Sequence, residues 1–201
     1  MLVGLGLGPG DTELLTLRAV RRLSEAVKVF VPGRIAAHLV SPYCTPTILE
    51  FPMTGNEDQI RQCLVGNCEK IAPIARRSLA VIGILGDPNF YSTYARLCAI
   101  IRESHPDIVC VTEPGVSAIT AFASVAGISL SGGFTVSDGG PPRHRIVLKV
   151  RRPREAVEAL KREGYRHFVL VERMYMDGMR ILRDQEIPEE SDYMSILYAG
   201  T

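Results

Sequence analysis

The sequence has no excess of either charge, no long apolar run and no pair of cysteines spaced CxxC. Lysine and arginine number 23 against 22 acidic residues, a formal charge of +1. So small a net charge argues against nucleic acid held mainly by a broad basic surface, but not against a local basic pocket. No apolar run approaches the roughly 18 residues of a membrane span. The N-terminus lacks a charged segment followed by an apolar stretch and a small-residue cleavage site, so no signal peptide is expected. The cysteines are Cys44, Cys63, Cys68, Cys98 and Cys110, and no histidine near Cys63 and Cys68 completes a zinc set. Reduced, mostly buried thiols are predicted. These absences predict a cytoplasmic protein with no membrane or nucleic-acid partner and no metal.

Three common active-site signatures are missing as well. The chain begins MLVGLGLGPGD, which suggests a dinucleotide loop, but GxGxxG fails: five residues after Gly4 stands Pro9, and five after Gly6 stands Asp11. No acid ends the next strand-like run, KVFVP, to hold a ribose hydroxyl. A P-loop would need GK[ST], which is absent. No Ser-His-Asp or Cys-His arrangement is apparent.

What is present alternates between strand-like and helical patterns. MLVGLGL, KVFVP, TILEF, SLAVIGIL and DIVCV are strand-like. Helical spacing follows in TLRAVRRLSEAV, with Leu17, Val20, Leu23 and Val27 in period and Thr16 as N-cap, in residues 57 to about 77, and in YSTYARLCAIIRE. SLAVIGIL is apolar on both parities and is predicted to be central. Such alternation implies parallel strands with helical crossovers, an α/β fold. Ligands in such sheets sit beyond the carboxyl ends of the strands, here after Leu7, Val31 and Leu85. Beyond Thr112 the chain becomes turn-rich, with a helix in EPGVSAITAFASVAGI, strands in IVLKV, HFVLVER, MRILRD and YMSILYA, and a helix in PREAVEALKREG. Two domains, 1–112 and 113–201, are predicted.

Three glycine turns stand out. In the first, Pro9 fixes φ and removes a donor, Gly8 and Gly10 permit close approach of backbone, and Asp11 can accept amides of the next turn. In LGDPNFYST, Gly86 permits approach, and Asp87 either serves a ligand or merely caps the following helix. EPGVSA leads into a helix N-terminus, whose free amides suit a carboxylate. Any one of these is explained by a structural turn. Three together, nearly without fixed charge, suit a zwitterionic or cationic nucleoside in an apolar slot.

GLGPGDTELLTLRAVRRL, GDPNFYST and EPGVSAITAFASVAGISL together resemble the tetrapyrrole methylase family, S-adenosylmethionine-dependent enzymes of the cobalamin and sirohaem pathways. The resemblance runs almost end to end. VFVP (29–32), FPMT (51–54) and LGDPNFYST (85–93) resemble the branch that methylates ring carbon 20 of precorrin-2 or cobalt-factor II. It implies two α/β domains, each a mixed or mostly parallel sheet flanked by helices, with S-adenosylmethionine in the interdomain cleft, and a homodimer. Carried over by motif, Pro9, Leu85, Gly86, Asp87, Phe90, Ser117 and Ala118 are implied as cofactor contacts. Val150 and Met174 align with adenine-side positions, where core packing is an equal alternative. The glycine loop, with Gly8 and Gly10, is implied to face the macrocycle.

That substrate carries eight carboxylates, so local cations are expected. Arg34 and His38 follow the second strand on the ligand side; Arg143, His144 and Arg145 form one basic knot, and Arg151 and Arg152 another. Any single one is otherwise solvated surface charge. Asp87, Tyr91 or a substrate carboxylate are the candidate bases, with Tyr91 read first as packing at a helix start. The stretch from Gly127 to Lys149 is short for the family. Other superfamily members, diphthine synthase among them, and a non-catalytic binding module are the competing functions; Pro9 disfavours diphthine synthase.

Overall fold

The computed structural model describes residues 1–52 and 54–201; within FPMT, Met53 lies outside the described residues. The chain forms two compact units, Met1–Phe134 and Thr135–Thr201. The sequence-based boundary at 112 falls inside a strand of the first unit.

In the first unit, apolar runs too short for helices pair in parallel. β1 (Leu2–Gly6), β2 (Lys28–Val31), β3 (Thr47–Ile48), β4 (Ala80–Ile84) and β5 (Cys110–Glu113) lie in the order β3-β2-β4-β1-β5. β4 is central and buried throughout, as its apolar residues on both parities predict. α1 (Leu17–Glu25), α2 (Arg34–Val40), α3 (Glu57–Arg77) and α4 (Tyr94–Ser104) connect the strands, and α5 (Ala118–Val125) follows β5. Thr16 caps α1 as expected, its hydroxyl accepting the Ala19 amide at 3.0 Å.

The alternation of side chains along each strand sorts the helices. Val3, Leu5 and Val81 meet Leu23 of α1 and Leu39 of α2 on one face. Leu2 and Ile82 meet Ile71 of α3 and Leu97 and Ile101 of α4 on the other. Each such fully buried side chain contributes about 1.5–3 kcal/mol. β1 leads through α1 toward β2, while its neighbour β4 leads through α4 toward β5. The loops leaving these two adjacent strands thus part to opposite faces of the sheet. In open α/β sheets such a parting point at the carboxyl ends is where ligands bind.

In the second unit β6 (His144–Leu148), α6 (Pro153–Arg162), β7 (His167–Glu172), β8 (Arg180–Arg183) and β9 (Ser195–Gly200) form a sheet ordered β6-β9-β7-β8. Every pairing is antiparallel, which departs from the mixed or mostly parallel sheet expected there. The crossover is still present. β6, α6 and β7 make a right-sized strand-helix-strand unit, but β9 inserts between its two strands, a split arrangement. α6 packs Val157 and Leu160 on Phe168, Leu170 and Leu197. Residues 126–143, where the chain is short for the resemblance, contain no helix or strand and are exposed.

All five cysteines are free, and Cys68 and Cys98 are buried. Burial pushes the Cys68 thiol up to about 12, which makes it an inert core group. Among the described residues no helix is long and apolar enough to cross a membrane.

Candidate functional site

The three glycine turns leave the carboxyl ends of β1, β4 and β5, and they meet. Gly8 and Gly86 bond each other through both backbone groups: the Gly86 amide donates to the Gly8 carbonyl at 2.7 Å, and the Gly8 amide to the Gly86 carbonyl at 3.3 Å. The third turn closes on the same spot. A Cβ placed on Gly115 would lie 2.3 Å from the Gly86 carbonyl oxygen, and one on Gly6 would lie 2.3 Å from the Gly115 amide nitrogen. No side chain fits at either position.

Most of the glycines of the first strand therefore have occupants within the protein. Gly4 has the ring of Tyr94 against it, since a Cβ there would stand 2.6 Å from the ring. Tyr94 is buried, and its hydroxyl donates to the Val111 carbonyl at 2.7 Å, fixing α4 to the sheet. Gly6 has the third turn, and a Cβ on Gly8 would stand 2.9 Å from the Leu14 carbonyl oxygen. Gly10 alone in this run faces open space, with φ +137°. Pro9 is half-buried beside it, and Asp11 accepts the Glu13 amide at 2.9 Å, as its position predicts.

Asp87 joins the turns by its side chain. One carboxylate oxygen accepts the Asn89 amide at 2.8 Å and the Asn89 side-chain amide at 3.1 Å. The other accepts the Gly115 amide at 3.1 Å. The carboxylate is buried and engaged at both oxygens, the geometry of a tie between loops rather than of a free base. Around it the rim is apolar and open: Leu85 and Phe90 are exposed, and Tyr91 is 68% exposed with φ +49°. Tyr91 is thus not the packing residue its helix-start position suggests; it is an exposed ring on strained backbone.

Ser117 caps α5, its hydroxyl accepting the Ile119 amide at 3.3 Å. Ala118, the first residue of that helix, turns its amide toward the second turn: a Cβ on Gly86 would lie 3.9 Å from it. Pro9, Leu85, Gly86, Asp87, Phe90, Ser117 and Ala118 are thus gathered on the joined turns. The ionisable side chains of segments 7–11, 85–91 and 114–118 are Asp11, Asp87 and Tyr91, so these loops carry negative and no positive charge. Apolar walls, backbone donors and acceptors, and a negative local charge fit a zwitterion bearing a sulfonium, the chemistry of S-adenosylmethionine.

Arg34 and His38 lie one turn apart on α2, on one face and both exposed, beyond the end of β2. In the second unit Val150 is buried in the core with Val157, and Met174 is exposed in the turn after β7. Arg145 pairs with Glu163 at 2.6 Å, and the His144 ring lies 2.9 Å from the Tyr198 hydroxyl. Among the described residues no three His, Cys, Asp or Glu side chains gather to hold a metal ion.

Glu113 closes β5 beneath the turns. It accepts Arg18 at 3.1 Å and Arg22 at 3.0 and 3.2 Å. Burial raises its carboxyl, but the hydrogen bonds from the two guanidiniums outweigh that and hold it below the usual carboxylate range. Motif reading missed the roles of Gly6, Gly115, Tyr94 and Glu113. The glycines were visible, but their partners stand far along the chain.

The sequence pattern of the tetrapyrrole (corrin/porphyrin) methylases matches residues 1–186. A protein of Methanocaldococcus jannaschii described as a probable cobalt-precorrin-2 C(20)-methyltransferase is 25% identical over 96% of this chain and 93% of its own. A precorrin-2 C(20)-methyltransferase of Sinorhizobium sp is 32% identical over 67% of this chain and 61% of its own. The crystal structure of a uroporphyrin-III-C-methyltransferase from Thermus thermophilus shares the fold, with a TM-score of 0.51, 18% identity and coverage of 99% of this chain and 91% of the other.

Proposed function

The chain belongs to the tetrapyrrole (corrin/porphyrin) methylase family, and from that premise we propose that it methylates ring carbon 20 of precorrin-2 or cobalt-factor II in cobalamin biosynthesis. The observation that carries the position on the ring is the similarity to two relatives named for carbon 20. VFVP, at 29–32, and LGDPNFYST, at 85–93, support the same branch.

S-adenosylmethionine is the methyl donor and, when bound, supplies an electrophilic methyl group together with its leaving group. The work left to the protein is placement. In-line transfer needs donor and acceptor atoms about 3–3.5 Å apart with aligned orbitals. The joined turns offer a backbone surface that does not yield, because Gly6, Gly86 and Gly115 are already in contact with one another. Leu85 and Phe90 supply apolar walls that exclude water. Asp87 holds the second and third turns together and places negative charge near a cationic centre. Arg34 and His38, exposed beyond β2, offer positive charge to substrate carboxylates. The cofactor lies on these turns of the first unit, and the active form is a cytoplasmic homodimer.

The test is a single-turnover reaction of the purified protein with S-adenosylmethionine and either cobalt-factor II or the metal-free ring. The expected product carries one added methyl, at carbon 20 by NMR. Unchanged rings, with the methyl donor bound by calorimetry, would reject the carbon-20 assignment and direct attention to later corrin intermediates.

A further inference from the structure

Two thiols meet in the core of the first unit. Cys98 of α4 is buried, and Cys110, the first residue of β5, is half-buried and packs against the same apolar cluster. The Cys110 thiol donates a hydrogen bond to the Cys98 sulfur. The other three cysteines direct their protons to the main chain: Cys44 to the Val40 carbonyl at 3.6 Å, Cys63 to the Glu50 carbonyl at 2.9 Å and Cys68 to the Leu97 carbonyl at 3.7 Å. The Ile108 carbonyl stands 4.0 Å from the Cys110 sulfur, the longest of these contacts. Placement of a methyl donor and a ring uses neither Cys98 nor Cys110.

The chain holds the pair in place. Cys98 stands one turn after Tyr94 on α4, and the Tyr94 hydroxyl bonds the Val111 carbonyl, next to Cys110. The crossover 99–109 is pinned near its far end: Arg76 pairs with Asp107 at 2.8 Å, and its guanidinium lies 2.9 Å from His105 Nδ1. A thiol pair that has lost one proton shares the other, and the two sulfurs ionise unequally. The hydrogen bond from Cys110 pulls the Cys98 thiol below its ordinary value against the effect of burial, and Arg102, one turn further along α4, adds to the pull. The same bond, with burial, holds Cys110 above its ordinary value. Cys98 is therefore the nucleophile of the pair and Cys110 the proton carrier. β5 is an edge strand, with Val109 and Val111 exposed on either side of Cys110, so the pair is approached from the edge of the sheet.

We propose that Cys98 and Cys110 are a peroxide-responsive pair, and that the disulfide they form ties α4 to β5 and weakens the seat of the methyl donor. The Cys98 thiolate attacks one oxygen of hydrogen peroxide; an S–O bond forms, the O–O bond breaks, and the departing hydroxide takes up a proton as water. The Cys110 sulfur then attacks the sulfenic sulfur; the S–S bond forms, the S–O bond breaks, and the oxygen leaves as water with the Cys110 proton. Two thiols are oxidised by two electrons and one peroxide is reduced to two waters. The sulfurs must close to about 2.05 Å, so α4 and β5 are drawn together. α4 follows the second turn and β5 runs into the third, and a core this dense passes the shift to the Asp87–Gly115 bond that joins them. The effect on the donor rests on the reading of the joined turns as its seat; the disulfide itself does not.

The test treats the reduced full chain with hydrogen peroxide at neutral pH. Peptide mass spectrometry without reductant reads the crosslink, and calorimetry reads S-adenosylmethionine binding before oxidation, after it, and after dithiothreitol. A peptide pair joined through Cys98 and Cys110 is expected, with affinity weakened about fivefold and restored by the thiol. C110S is expected to form no such crosslink and to keep its affinity through the treatment. It carries the same exposed methionines, so an equal loss of affinity in C110S would trace to methionine oxidation and overturn the proposal. C63A should crosslink as the parent does, and thermal melts of each reduced variant show that it is folded. No crosslink in the parent, a crosslink from Cys98 to Cys68 instead, or a 98–110 crosslink with unchanged affinity would also overturn it. A 98–110 crosslink in a parent that binds no methyl donor even when reduced would reject the joined turns as the donor's seat and leave the disulfide standing.

Discussion

The Asp87 carboxylate accepts the amide of Gly115 at 3.1 Å, so a side chain following β4 fixes the backbone that follows β5. The same carboxylate holds Asn89 through its other oxygen. D87A leaves these buried donors unanswered and is expected to cost about 1–3 kcal/mol, with a lower melting temperature and weaker S-adenosylmethionine binding. D87N keeps one acceptor and is expected to retain measurable transfer with the parental pH profile. Loss of an ionisation from that profile would make Asp87 a base after all.

Gly115→Ala would place a methyl group 2.3 Å from the Gly86 carbonyl oxygen. The loops must then separate, at a cost of about 1–3 kcal/mol or more. Gly10→Ala meets no atom within 4 Å and has only its φ of +137° to accommodate. Calorimetric titration with the methyl donor should show affinity lost in the first variant and largely kept in the second.

The Glu113 carboxyl is held below its ordinary range in the folded protein, so its contribution is complete above the ordinary carboxyl value of 4.5 and is lost as pH falls through the folded value. E113Q is expected to be less stable than the parent by about 1–2 kcal/mol at neutral pH. Thermal melts from pH 7 down to about 3 should show the two proteins converging on the acid side. A constant gap across that range would mean that the arginine pairs contribute nothing to stability.

Tyr91 combines an exposed ring with left-handed backbone. Y91G relieves the strain and removes little packing, so its melting temperature should stay level or rise by a few degrees. Its kcat/KM should fall about tenfold or more if the strained ring serves the reaction, which 1.4 kcal/mol of lost transition-state contact would produce. Y91F should remain within about threefold of the parent, since the hydroxyl is given no part in proton transfer.

The sequence pattern carried much of the first unit. β4 is central, α3 spans 57–77 and Thr16 caps α1, each from local composition. α2 was not legible, because its seven residues sit between Pro32-Gly33 and Ser41-Pro42, which punctuate like a loop. Leu17 shares the apparent period of α1 yet is 91% exposed. It sits six residues before the buried Leu23, well off the face that Ala19 and Leu23 bury. The placement of β9 between β6 and β7 depends on pairing across the whole second unit, which local composition does not encode. The site showed the same division. Which residues form the turns was readable, whereas what presses on Gly4 and Gly6 is Tyr94 and Gly115, about 90 and 110 residues away in the chain.

The reciprocal bonds between Gly8 and Gly86 have a consequence for chimeras of this fold. Transplanting segment 7–11 from a relative with a different substrate would import a loop shaped to another partner, and the host's 85–87 would not match it. Segments 7–11, 85–87 and 113–117 form one exchangeable cassette. Natural substitutions within it should compensate one another across the three segments, and grafts should succeed when all three travel together.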